Sequence, residues 1–317
     1  LQGRYMSGMA AVFNITAPVF LVIALGYAMV RRGVFEFGEL QGTAKFVMKI
    51  GLPALVFSAI AGRPFREVFD TVYLAGYGAA SLTVFAAGWL VSRRLWRQDR
   101  VSAALGAFAV SFSNTGFIGY PLLSMSVGAE AAAPFFAMNV LVENMFLIPM
   151  FFILADSASG GSAGRLKNIL SISSNLLKNP IILALFAALP FALGWLPLPK
   201  ALFSTASVLA AGSGPVALFV IGGSLAGLRL AGSLREVLWI TAGKLLVFPL
   251  LAVAFLLLFG AGRDSLFAGA LLAGVPTASM VAIIHNQYGH VRRGAAVMLA
   301  TTVLSFAVIA VVLLIGR

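Results

Sequence analysis

Ser111-Phe112-Ser113-Asn114-Thr115-Gly116-Phe117-Ile118-Gly119-Tyr120-Pro121-Leu122-Leu123 decides how this chain is read. The run sits inside an apolar stretch, 101–127, long enough to cross a bilayer as a helix. Two glycines, a proline and a cluster of hydroxyl and amide side chains break that helix at membrane depth. Irregular backbone is tolerated there only where protein or a water-filled cavity satisfies the freed amides and carbonyls. Carriers use helices broken in this way to bind solutes and coupling ions. A second break, Ala273-Gly274-Val275-Pro276-Thr277-Ala278-Ser279, lies inside the apolar stretch 266–288. One break in each half of the chain points to a carrier.

Composition agrees with a membrane setting. Of 317 residues, 61% are hydrophobic and only 10% charged, against about 25% charged in a soluble domain. At about 20 residues per crossing, ten segments qualify: 13–30, 43–61, 72–91, 101–127, 131–155, 179–196, 201–228, 237–259, 266–288 and 294–315. The fold expected is an all-α polytopic membrane protein. Leu1 to Tyr5, ahead of Met6, lack the apolar core and cleavage site of a secretory signal.

The longest connection carries Ser157-Ala158-Ser159-Gly160-Gly161-Ser162-Ala163-Gly164, the composition of a flexible linker. It divides the chain into a first five-helix unit (1–155), a linker (156–178) and a second five-helix unit (179–317). Pro18 and Pro180, Pro53 and Pro215, and Asn114 and Pro276 are each 162 residues apart. Five crossings per unit would give the second copy the opposite orientation, an inverted repeat.

The net charge of +12 has a topological reading and calls for no nucleic acid. Fifteen of the 22 lysines and arginines fall on the loops after the odd-numbered helices or on adjacent helix ends; six fall on the other face. By the positive-inside rule the odd loops are cytoplasmic and both termini outside. The cluster Arg93-Arg94-Leu95-Trp96-Arg97 reads as a topology anchor.

Site candidates follow from cost. Ser113, Asn114 and Thr115 either cap the interrupted helix or contact solute and ion. Gly116 and Gly119 would allow close backbone approach, and Pro121 removes a helical donor. Pro276, Thr277 and Ser279 form the matching half-site or a packing kink. Ionisable groups in lipid are expensive, which singles out Lys244 and Glu143. Asn139 lies four residues before Glu143, on the same helical face, with Asn144 beside it. Lys244 and Glu143 read either as a structural ion pair or as a charge site coupled to transport. Lys45 reads as snorkelling to the interface, Lys49 as a candidate cavity residue one turn deeper, and His285 as interfacial, with a proton relay as the alternative.

Other chemistries find little support. Without cysteine there is no thiolate or cysteine-ligated metal, and two histidines are too few for a histidine cluster. The four aspartates all lie near helix ends, and no phosphate-binding Walker loop is present. An enzyme is therefore disfavoured. A secondary carrier leads, with a channel-like protein or a non-transporting sensor on the same fold as the alternative.

Asn114-Thr115-Gly116 followed by Gly119-Tyr120-Pro121-Leu122 resembles the fourth-helix signature of the auxin efflux carrier family. Gly51-Leu52-Pro53-Ala54-Leu55-Val56-Phe57, Lys244-Leu245-Leu246-Val247-Phe248-Pro249-Leu250 and Asn286-Gln287-Tyr288-Gly289 extend the match. The resemblance implies ten helices in two inverted repeats, with helices 4 and 9 crossing at their unwound centres. It implies a scaffold of helices 1, 2, 6 and 7, a moving core of helices 3–5 and 8–10, and a homodimer in the bacterial inner membrane. The cargo implied is a small organic anion, a carboxylate: malonate, malate and similar short carboxylates fit, as do aromatic acids. Protons or sodium are the candidate coupling ions, and no other cofactor is expected. The chain lacks the long central cytoplasmic loop of many plant members.

Overall fold

The computed structural model describes residues 2–156, 178–227 and 234–316. The linker expected at 156–178 lies outside this set except for its two end residues, as do Arg165, Lys167 and Arg229 of the charge count. Among the described residues the chain is helical, with no strand and one isolated β-bridge.

In chain order the helices are α1 (Gln2–Arg31), α2 (Phe37–Phe46), α3 (Leu52–Ala61), α4 (Phe65–Val68), α5 (Thr71–Arg94), α6 (Arg100–Ser111), α7 (Tyr120–Val127), α8 (Ala129–Val142) and α9 (Ile148–Asp156). There follow α10 (Pro180–Ala192), α11 (Lys200–Leu225), α12 (Leu234–Ala242), α13 (Phe248–Leu258), α14 (Arg263–Gly274), α15 (Ser279–Gln287) and α16 (Val291–Ile315). Among the described residues, six spans are long and apolar enough to cross a membrane: Gly38–Ala61, Phe65–Arg94, Ala129–Ala155, Lys200–Leu225, Leu234–Leu258 and Val291–Ile315. This is a multi-pass, all-helical membrane protein. Two more of the expected segments, 101–127 and 266–288, are helical but interrupted.

Some of the long spans are continuous only because a wide π-type turn joins their two pieces. Val47–Gly51 joins α2 to α3, Glu143–Leu147 joins α8 to α9, and Gly243–Val247 joins α12 to α13; a fourth, Thr115–Gly119, precedes α7. Each ends one residue before a residue that is followed by proline: Pro53, Pro121, Pro149 and Pro249. The ring of a helical proline clashes with the carbonyl four residues back and offers it no donor. In all four cases that carbonyl falls within the wide turn. The amide just before the proline reaches one residue further back, from Leu52 to Val47, Tyr120 to Thr115, Ile148 to Glu143 and Phe248 to Gly243. Such turns recur at functional sites; here they carry Lys49, Thr115, Glu143 and Lys244.

The helices pack in two groups. In one, α1 lies on α11 and α10 on α3. A Cβ on Gly26 would lie 2.1 Å from the Phe219 carbonyl oxygen, and one on Gly222 would lie 1.8 Å from that of Ile23. Such close backbone approach is how membrane helices associate without a hydrophobic driving force. In the other group α5 packs on α6 and α13, and α14 and α15 pack with α16. At one end of this second group Arg293 pairs with Glu236 at 2.9 Å and donates to the Ser102 carbonyl at 3.0 Å. Gln98 donates to the same Glu236 carboxylate. Asp99 caps α6 through the Ser102 amide at 2.9 Å, so this network ties the α5–α6 turn to the starts of α12 and α16.

Candidate functional site at the helix crossing

The two interruptions meet. After α6 the chain is extended at Phe112 and runs irregularly to Asn114; after α14 it is extended from Val275 to Ala278. Ser113 and Thr277 pair as an antiparallel bridge. The Asn114 amide donates to the Pro276 carbonyl at 2.8 Å, and the Ala278 amide to that of Phe112 at 3.3 Å. Backbone freed by each break is therefore satisfied in part by the other. Ser113, Asn114, Thr115, Pro276 and Thr277 are all buried.

Two charged side chains bear on this crossing. Lys244, fully buried, donates to Ser113 Oγ at 2.8 Å and to the Ala273 carbonyl at 2.6 Å. Ala273 lies in the last turn of α14, where unpaired carbonyls form the negative end of the helix dipole. The ammonium also lies 4.7 Å from the centre of the Phe248 ring, a cation–π distance. Glu143 accepts from Thr115 Oγ1 at 2.6 Å. The direct ion pair that sequence offered as one reading is absent: the lysine ends on Ser113 and the carboxylate on Thr115, two residues of the same broken segment.

The remaining predicted residues divide. Asn139 joins the cluster, accepting from Tyr73 Oη at 2.8 Å. Asn114 caps the second half of its helix, accepting from the Phe117 amide at 3.3 Å, and its carbonyl takes the amides of Ile118 and Gly119. Thr277 donates to the Phe112 carbonyl at 3.3 Å, and its amide reaches Thr301 Oγ1 at 3.4 Å. Ser279 opens α15 half-buried. Asn144 turns elsewhere: it donates to Val140 and accepts from Asn179, the N-cap of α10.

Gly116 and Gly119 serve packing in this structure. A Cβ on Gly116 would meet Leu52 at 2.9 Å, and one on Gly119 would meet Leu272 at 2.8 Å. Pro121 packs against Gly214. Lys49 is exposed on its wide turn, as is Lys45 on α2, whereas Gly51 in the same turn is buried against Ser213. His285, expected at the interface, is fully buried, with Nδ1 2.8 Å from the Val281 carbonyl oxygen.

Sequence reasoning misses Tyr73 and Tyr77. They stand four residues apart on α5, stacked at 5.6 Å, with Tyr77 also 5.6 Å from Phe248. The Tyr77 hydroxyl and Asn139 Nδ2 are buried without a hydrogen-bond partner. Their spacing reads as an ordinary apolar face; only the three-dimensional neighbours reveal that the hydroxyl ends are polar members of the site.

Two interrupted helices crossing at buried depth in a multi-pass helical protein define a membrane transporter. The chain belongs to the auxin efflux carrier family: residues 11–314 match the family described as "Membrane transport protein". It is 30% identical over 305 residues to a protein of Rhizobium meliloti (strain 1021) named "Putative malonate transporter", covering 95% of this chain and 94% of that one. It is 25% identical over 298 residues to "Uncharacterized transporter YfdV" of Escherichia coli (strain K12), covering 92% and 93%. The family and these relatives are transporters, not enzymes.

Proposed function

We propose that this protein is a secondary carrier of small organic anions, short dicarboxylates of the malonate class foremost, working by alternating access at the crossing. The observation that carries this reading is the end of the second break. No side chain caps the first amides of α15, whose N-cap is Ala278, whereas Asn114 caps the equivalent half-helix. An uncapped helix N-terminus offers free amides and a positive dipole end to a carboxylate. Ser113, Asn114, Thr115 and Thr277, buried at the crossing beside that end, would supply polar side chains to the ligand, and the unpartnered Tyr77 hydroxyl and Asn139 Nδ2 would offer further donors. Lys244 and Glu143 hold the extended segment from either side, where proton or sodium coupling would act.

The architecture proposed with it is ten crossings in two inverted five-helix repeats, 1–155 and 179–317, with both termini outside the bacterial inner membrane. Its support is the 162-residue offset, which maps Thr71–Arg94 onto Leu234–Leu258 and Arg100–Ser111 onto Arg263–Gly274 within two residues at either end. The packing group of α1, α3, α10 and α11 would be the scaffold, the other group the moving core of an elevator, and the protein a homodimer.

Uptake of radiolabelled malonate into liposomes containing the purified protein tests the assignment. Accumulation against internal unlabelled malonate, with competition by other short dicarboxylates, is the expected result. Absence of uptake and counterflow for every carboxylate offered, under proton and sodium gradients alike, would overturn it.

A further inference from the structure

A groove with a volume of about 860 Å³ runs between α12–α13, α14 and α16, away from the crossing. Among the described residues its lining is aliphatic and aromatic apart from a single charged residue, Arg263. On the α12–α13 wall it extends from Leu245 to Leu257, which at 1.5 Å per residue is about 18 Å. One leaflet of a hydrocarbon core about 30 Å thick is about 15 Å deep. The groove is therefore one leaflet long. Arg263, Leu257 and Gly316 stand at one end, and Leu245, Ala270 and Ala307 at the other.

We propose that this groove is a binding site for one anionic phospholipid, with an acyl chain along the apolar walls and the headgroup phosphate on Arg263. Charge complementarity selects this occupant. A small dicarboxylate would leave its charges unanswered along apolar walls, and in a zwitterionic lipid the headgroup's own ammonium offsets the phosphate and weakens its pull on the guanidinium. Arg263 is exposed and forms no ion pair with another described residue. The deep end has a consequence for transport: Leu245 follows Lys244 on the same wide turn, so an occupying chain buttresses the turn that holds the lysine on Ser113 and Ala273.

The test uses the full-length protein in detergent, with dioleoyl phosphatidylglycerol and dioleoyl phosphatidylcholine as probes. Native mass spectrometry reads bound lipid, and thermal unfolding reads its effect. One phosphatidylglycerol should bind in preference to phosphatidylcholine and raise the unfolding temperature. Arg263→Gln should weaken phosphatidylglycerol binding about fivefold, the scale expected for one basic side chain at an anionic lipid. Ala254→Trp, and independently Ala307→Phe, should block both lipids with Arg263 in place, since both alanines are exposed on the groove walls. Three results would overturn the proposal: phosphatidylglycerol preference surviving Arg263→Gln, soluble glycerol phosphate competing as well as the whole lipid, or the wall variants dissociating an oligomer, which would mean that a second copy covers the groove.

Discussion

The two breaks occupy equivalent places in the chain and are held open by different means. In the first, polar side chains do the holding: Asn114 caps the following turn, Ser113 receives Lys244, and Thr115 donates to Glu143. In the second, a proline ring and a threonine serve, and no side chain caps the helix that follows. Asn114 and Pro276 stand opposite each other, one step along from the Ser113–Thr277 bridge. Two residues so placed would ordinarily exchange two backbone hydrogen bonds. Only one forms, Asn114 amide to Pro276 carbonyl, because proline has no amide to return. The Asn114 carbonyl turns instead to Ile118 and Gly119. One break is thus capped by its own side chain while the helix after the other is left without a side-chain cap.

The strongest way to break this contrast is to remove Lys244, which links both breaks by bonding Ser113 in one and Ala273 at the edge of the other. Lys244→Met deletes two charge-assisted hydrogen bonds, a loss of about 3 kcal/mol at about 1.5 kcal/mol each, and should abolish transport. Glu143→Gln keeps an acceptor for Thr115 and should cost less stability. The two charges end on hydroxyls two residues apart in one segment, so the double variant should depart from additivity by a modest coupling of about 0.5–1 kcal/mol, well short of full recovery. A thermal-unfolding cycle in detergent measures this. Recovery of stability in the double variant would mean that the two charges pair directly in another conformation, and that the contrast between the breaks belongs to one state of the cycle.

Much of this site is legible in the sequence alone. Glycine, proline and hydroxyls in an otherwise apolar run mark Asn114 and Pro276 because nothing in a plain membrane helix requires them. Lys244 and Glu143 stand out by the cost of burying charge. Their partners do not, since a backbone carbonyl such as that of Ala273 has no signature in sequence, and a buried threonine looks like any other. The wide turns are equally silent, although the prolines behind them are in plain view. Their consequence is felt at Lys49: helical spacing places it on a face with Lys45, but does not tell whether that face looks inward. The tyrosines of α5 are hidden by their own rings, which satisfy an apolar pattern while placing hydroxyls at the site.

Asn114→Ala sharpens the comparison by making the first break resemble the second. Losing an N-cap costs about 1 kcal/mol, and the backbone bond to Pro276 needs no side chain, so the fold and the crossing should persist. Transport should nonetheless fall at least tenfold if the amide group contacts the anion, since a buried donor or acceptor serving the ligand is worth about 1.4 kcal/mol or more. Malonate counterflow by liposomes, normalised to folded protein, gives the answer. Normal flux in the alanine variant would reduce Asn114 to a cap and move the anion site entirely to the α15 end.

The smallest effect is expected at Pro276, and it is the most informative about why the breaks differ. Pro276→Ala restores an amide at the centre of the pairing. That amide has two acceptors within reach: the Asn114 carbonyl across the crossing, which would complete the missing bond by giving up Ile118 or Gly119, or the carbonyl four residues back, which would extend α14 through the break. The first choice preserves the crossing, and the stability change should stay within about 0.5 kcal/mol. The second pulls Thr277 away from Phe112 and removes the open end of α15. Thr277 and Ala278 are already tied to Phe112 and Thr301, and these contacts oppose rewinding, so the first choice should prevail. The variant should then transport more slowly without losing affinity, because a crossing with three backbone bonds in place of two is harder to rearrange between its two faces. Affinity read from ligand-induced thermal shifts separates the cases: unchanged binding with slower flux means a stiffened crossing, whereas lost binding means the helix has closed over the site.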